Sequence, residues 1–144
     1  MFEKFYLYLD TLPLTLVVKK RIDELIILNS KLINEEILDI FICDMKNHDG
    51  TRTYLSLWLF AEKYVFECKN FLNTYDFDIT PYFKKIDYCY IKPINFDFET
   101  TNEKSSVNIF GALGENTIEL IATEQNCLKA LDVYKKYIIR NLVD

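Results

Sequence analysis

The chain has 144 residues, half of them hydrophobic and 15% aromatic, which fits one folded domain and excludes a largely disordered chain. Its net charge of −5 is spread evenly, with 9 basic and 11 acidic groups in residues 1–72 and 8 and 11 in residues 73–144. Nucleic acid needs clustered Lys and Arg and is disfavoured, and a membrane-lipid partner is disfavoured by the same charge argument.

Residues 2–13, with the run Phe5-Tyr6-Leu7-Tyr8-Leu9, predict a short strand or packed arm ending at Pro13. From Thr15 to Ile33 the pattern turns helical: Val18, Ile22, Leu25, Ile26, Asn29 and Ile33 recur at spacings of three and four. Lys19, Lys20, Asp23 and Glu24 fall on the other side. The basic cluster Lys19-Lys20-Arg21 follows the apolar stretch Thr11–Val18, the reverse of a secretory signal, and no apolar run reaches the length of a membrane span. The expected location is cytoplasmic.

The period then becomes that of strands. Ile37–Lys46 and Thr53–Ala61 flank Asn47-His48-Asp49-Gly50, a hairpin turn by its Asp-Gly. Glu62-Lys63 joins a second hairpin to Tyr64–Cys68, and Asn70–Asp76 reads as a loop. Phe77-Asp78-Ile79 is a short extended piece closed by Thr80-Pro81. Lys85–Ile94 is a strand that Pro93 confines to an edge or an end, and Asn95–Phe98 is a candidate extension of it. Val107–Phe110 and Thr117–Thr123 are strands around a turn at 111–116. Cys127, Leu131, Tyr134, Ile138 and Leu142 then stripe a last helix, with Thr123 as its expected N-cap.

The expected fold class is α+β. One domain, 1–144, holds an N-terminal arm and helix (1–34), about seven antiparallel strands (35–124) and a C-terminal helix (125–144). The order from Glu36 to Val143 resembles the pleckstrin-homology-like superfold, especially its GRAM and bacterial PH-like branches. The residues carrying the likeness are the Leu57–Cys68 hairpin, Phe77-Asp78-Ile79-Thr80 leading into Ile86-Asp87, and Thr117–Thr123 before the Asn126–Leu142 helix. The resemblance implies a curved barrel of about seven strands plugged by that helix. Family members that bind inositol phosphates place several basic residues at the first hairpin. Here that hairpin offers only Lys46, His48 and Arg52, set among Asp44 and Asp49.

No residue pattern points to catalysis, a cofactor or a metal. His48 is the one histidine, and pairing it with Cys43 as base and nucleophile would need a third, orienting group. Cys43, Asp44, His48 and Asp49 match no zinc or calcium spacing. Cys43, Cys68, Cys89 and Cys127 form no C-x-x-C and read as buried free thiols. The carboxylate pairs Asp76/Asp78 and Asp97/Glu99 read as solvated strand faces. Gly111-Ala-Leu-Gly114 has the spacing of the KH nucleic-acid clamp but lies between strands and precedes Glu115, so it reads as a turn.

The most informative feature is the aromatic hairpin Tyr54, Trp58, Phe60, Tyr64 and Phe66. One strand parity must fill the core, and the other either is covered by the N-terminal helix or meets a partner. The expected function is a non-enzymatic binding module that engages a protein partner or self-associates, with those five residues as its surface. The alternatives are an acidic inhibitor or immunity-type protein neutralising a basic toxin or nuclease, and a lipid or small-ligand binder.

Overall fold

Thr15 stands at the start of the first long helix because its hydroxyl can accept the Val18 N–H that a helix leaves unpaired, at 3.3 Å. In a computed structural model that describes residues 3–97 and 99–142, this helix, α2, runs Leu16–Ile33 and ends at Asn34 in the left-handed region. Before it, Glu3–Phe5 and α1 (Tyr6–Leu9) are helical turns that bury Phe5 and Leu9, a packed arm and not the strand that was the other expectation. The reason is burial: Phe5 and Leu9, one turn apart, both point into the core, while Leu7 between them is exposed.

The strands are β1 (Asp39–Lys46), β2 (Arg52–Phe60), β3 (Tyr64–Lys69), β4 (Asp78–Phe83), β5 (Tyr88–Ile94), β6 (Ser106–Leu113) and β7 (Asn116–Thr123). They form a four-stranded sheet in the order β1-β2-β3-β4 and a three-stranded sheet in the order β5-β6-β7. The class is therefore α+β, with an N-terminal and a C-terminal helix. Several boundaries move: β1 begins at Asp39 and β5 at Tyr88, both later than expected, β4 continues through Pro81, and β6 runs past Gly111 to Leu113. Residues 95–97 do not extend β5, and Phe98 lies outside the described residues. No described helix is long and apolar enough to cross a membrane.

Two compact units emerge, residues 1–42 with 55–82 and residues 43–54 with 83–144. In the first, α2 buries Ile22, Leu25, Ile26 and Asn29, the stripe its spacing predicts. Asp23, expected on the outer side, is instead buried and accepts the Tyr6 hydroxyl at 2.7 Å. Asn29 reaches Cys68 Sγ at 3.6 Å, which sets α2 on the sheet face carrying Leu57, Leu59, Phe66 and Cys68. Burial pushes the Cys68 thiol up to about 11. On the other face Trp58 pairs across the strands with Glu67 and stacks on Tyr82, ring centres 6.0 Å apart.

Burial also raises the Glu67 pKa, with Lys69 and the Tyr82 hydroxyl pulling it down less strongly. A raised folded pKa contributes stability that is fully present below the ordinary glutamate range and lost as pH rises through the folded value. Glu67→Gln, which cannot ionise, is therefore expected to stabilise the fold at pH 7 by less than about 1 kcal/mol. Thermal unfolding should show the gain shrinking to nothing below about pH 4.

In the second unit, Val107, Ile109, Ile118, Leu120 and Ala122 form the buried face of β6–β7. They pack against α3 (Asn126–Val133), which contributes Cys127, Ala130 and Val133. Gly111 allows a close approach there, since a Cβ would sit 3.1 Å from the Ile118 side chain, which would have to give way. The chain continues as a π-helical turn, Tyr134–Ile138, and a 3-10 turn, Ile139–Asn141. Of the predicted stripe, Cys127, Tyr134 and Ile138 are buried and Leu131 is half-buried, while Leu142, past the last turn, is exposed. Thr123 does not cap α3. It ends β7, and its hydroxyl is committed to Asp44.

Candidate functional site

The aromatic hairpin expected to meet a partner is turned inward. Trp58 is 0% exposed, Phe60 and Phe66 are buried, and Tyr54 and Tyr64 are half-buried. α2 lies against the face that carries Leu57, Leu59, Phe66 and Cys68, and on the other face the Tyr82 ring of β4 stacks on Trp58. Three of the five residues are thus core, which leaves Tyr54 and Tyr64 as the partly exposed members of the expected site.

The chemically suggestive residues do not assemble either. Cys43 is buried mid-strand, and Asp49 caps its own turn through Thr51 N at 3.0 Å and Thr51 Oγ1 at 2.6 Å. Those two bonds hold the Asp49 carboxyl below its ordinary range. Asp97 closes a similar turn onto Glu99 N and Thr100 N, with the same effect on its pKa. Among the described residues no three His, Cys, Asp or Glu side chains gather as a metal site.

Asp44 is fully buried and holds a structural corner. Its carboxylate accepts from Arg52 Nε at 2.8 Å, Thr123 N at 3.0 Å, Asn126 Nδ2 at 2.7 Å and the Thr123 hydroxyl. Arg52 also donates to Gln125 Oε1 at 3.2 Å. Four donors on two oxygens leave the carboxylate no capacity for a ligand.

The exposed surface with binding character lies on the other unit, on the face of β5–β6–β7 opposite α3. Register places Tyr90, Phe110 and Glu119 in one row across the sheet, Lys92, Asn108 and Ile121 in the next, and Ile94, Ser106 and Thr123 in the third. Tyr88 and Tyr90 are 60% and 42% exposed. Tyr90 stacks on Phe110 with centroids 4.7 Å apart and planes 20° from parallel, and Tyr88 adjoins it at 5.9 Å. The ladder is pre-ordered, so binding over it loses little side-chain entropy.

Below the ladder the face opens into a groove of about 690 Å³, lined among others by Met45, Lys46, Ile94, Asn108 and Ile121. Lys46 reaches across to the Glu103 carbonyl at 2.6 Å, closing one end. The open edge of β5 carries Lys92 and Pro93, both exposed, which discourage addition of a further strand.

Tyr88 and Tyr90 share a parity with buried Ile86, so alternation alone does not mark them as exposed. The available signal is apolar residues out of phase with their strands: Phe110 beside Asn108, and Ile121 beside Glu119. Compared with known proteins, the chain matches no family model, no curated protein and no solved structure.

Proposed function

We propose that the chain is a non-enzymatic binding module that engages a protein partner through the outer face of β5–β6–β7. The observation that carries this reading is the exposed pair Tyr88 and Tyr90, with Tyr90 stacked on half-buried Phe110, on the sheet face opposite α3. Tyrosine is enriched at protein interfaces because its ring supplies apolar area and its hydroxyl still pairs at the rim. A pleckstrin-homology-like arrangement, with the strands curved into a barrel, belongs to the same proposal. Seven antiparallel strands ahead of a C-terminal helix support it.

The test is affinity purification of the tagged chain from its native cells, beside Tyr88→Ala/Tyr90→Ala and a Tyr64→Ala control. A stoichiometric protein retained by wild type and the control, but reduced at least roughly tenfold by the double variant, is the expected result. Equal retention by all three would overturn the assignment of the face. The groove supports a second reading, a small ligand held between Ile94, Ile121 and the polar Asn108. Absence of any protein partner, with a ligand mass retained in native mass spectrometry, would favour it.

A further inference from the structure

The outward side of α2 is half apolar. Opposite the buried stripe Ile22, Leu25, Ile26 and Asn29 stand Val17, Lys20, Glu24, Ile27, Leu28 and Lys31, with Leu32 beside them. Val17 is 77% and Leu32 63% exposed, and Ile27 and Leu28 are also exposed. A helix bordering only water would carry polar residues along that stripe. Lys31 has no ion-pair partner among the described residues, and Glu24 meets only Arg21, at a long 3.4 Å. The pattern is symmetric about its middle. Glu24 and Lys31 are two helical turns apart, and Ile27 and Leu28 fill the space between them.

From this symmetry we propose that the chain forms a two-fold dimer through α2, the two helices antiparallel about an axis between Ile27 and Leu28. In that register Glu24 faces the partner's Lys31, and Lys31 faces the partner's Glu24. Ile27 packs on the partner's Leu28, and the same contact repeats across the axis. A second copy of this chain is the occupant that the charges specify, because an isologous contact must be self-complementary and this stripe is. Apolar side chains at the centre with charges at both ends is also the arrangement of a contact that excludes water in the middle and fixes register at the rim. One helix pair buries less than a standard interface, so the dimer is concentration-dependent. The inference is independent of the partner proposed for β5–β6–β7, since the two surfaces belong to different units.

The experiment is sedimentation velocity of the full chain over roughly 5 to 500 µM. Wild type is expected to move from 17.1 kDa toward twice that mass as concentration rises. E24K alone places Lys against Lys at both ends, and K31E alone places Glu against Glu. Each should weaken the dimer by roughly tenfold or more. An equal mixture of the two variants restores an opposite charge at both ends, so it should recover the wild-type distribution. Leu28→Ser should weaken the dimer without changing its charge. Circular dichroism confirms folding, which these exposed positions preserve. A wild-type chain monomeric throughout, single charge variants that dimerise like wild type, or a mixture that stays monomeric would each overturn the proposal.

Discussion

Asp44→Ala is expected to destabilise the fold by about 3–5 kcal/mol, a large share of the roughly 5–15 kcal/mol that holds a domain together. The loss is not that of one ion pair. Removing the carboxylate leaves the buried Arg52 guanidinium with only the longer Glu124 contact at 3.7 Å, and leaves Thr123 N and Asn126 Nδ2 without the acceptor at 3.0 and 2.7 Å. An unpaired buried charge costs far more than the pair contributes. Two companion variants separate these effects. Asp44→Asn keeps one oxygen for Thr123 N and Asn126, but turns an amide N–H toward Arg52 Nε, so it should lose less than Ala and more than nothing. Asp44→Ala with Arg52→Met removes both charges and should recover part of the loss. Urea unfolding followed by circular dichroism reads all three. A cost below about 1 kcal/mol for Asp44→Ala would mean that this corner is open to water.

Trp58→Ala is expected to cost about 3–5 kcal/mol as well, because it empties a fully buried site under the Tyr82 ring. Trp58→Phe should cost only roughly 1–2 kcal/mol. The indole N–H has no acceptor among the described residues, so phenylalanine gives up volume but no hydrogen bond. Tyr64→Ala, half-exposed on the next strand, should cost about 1 kcal/mol. Thermal unfolding ranks the three. Trp58 is the only tryptophan, so its fluorescence also reports burial directly, by a blue-shifted emission that resists iodide. Equal, small effects at Trp58 and Tyr64 would return the hairpin to the surface.

The elements that could be read from the chain are those with a strong local period or a strong turn signal. The spacing of Ile22, Leu25, Ile26 and Asn29 is that of a helix whatever packs on it, and Asp49-Gly50 closes β1 onto β2 by its own backbone preference. Pro93 confines β5 to a sheet edge for lack of an N–H, and β5 is an edge. What failed depended on tertiary cover. Phe5-Tyr6-Leu7-Tyr8-Leu9 has strand-like composition but folds as helical turns, because Phe5 and Leu9 are buried together. Asp23 and Thr123 look like a surface acid and a helix cap, and only the folded chain brings them to Tyr6 and Asp44. The burial of Trp58, Phe60 and Phe66 was hidden for the same reason. A strand rich in aromatics on both parities says that one or both faces are covered, but not by what. The covered hairpin was β2–β3, and the uncovered aromatic face was β5–β6.

The two aromatic surfaces are told apart by which of their residues meet a partner. Hydroxyl-radical footprinting of the free chain and of its captured complex measures this residue by residue. Tyr88 and Tyr90 should oxidise readily in the free chain and be shielded in the complex, with Trp58 unmodified in both. Oxidation of Trp58 in the free chain, with Tyr88 and Tyr90 unchanged on binding, would contradict the account and return the site to the β2–β3 hairpin.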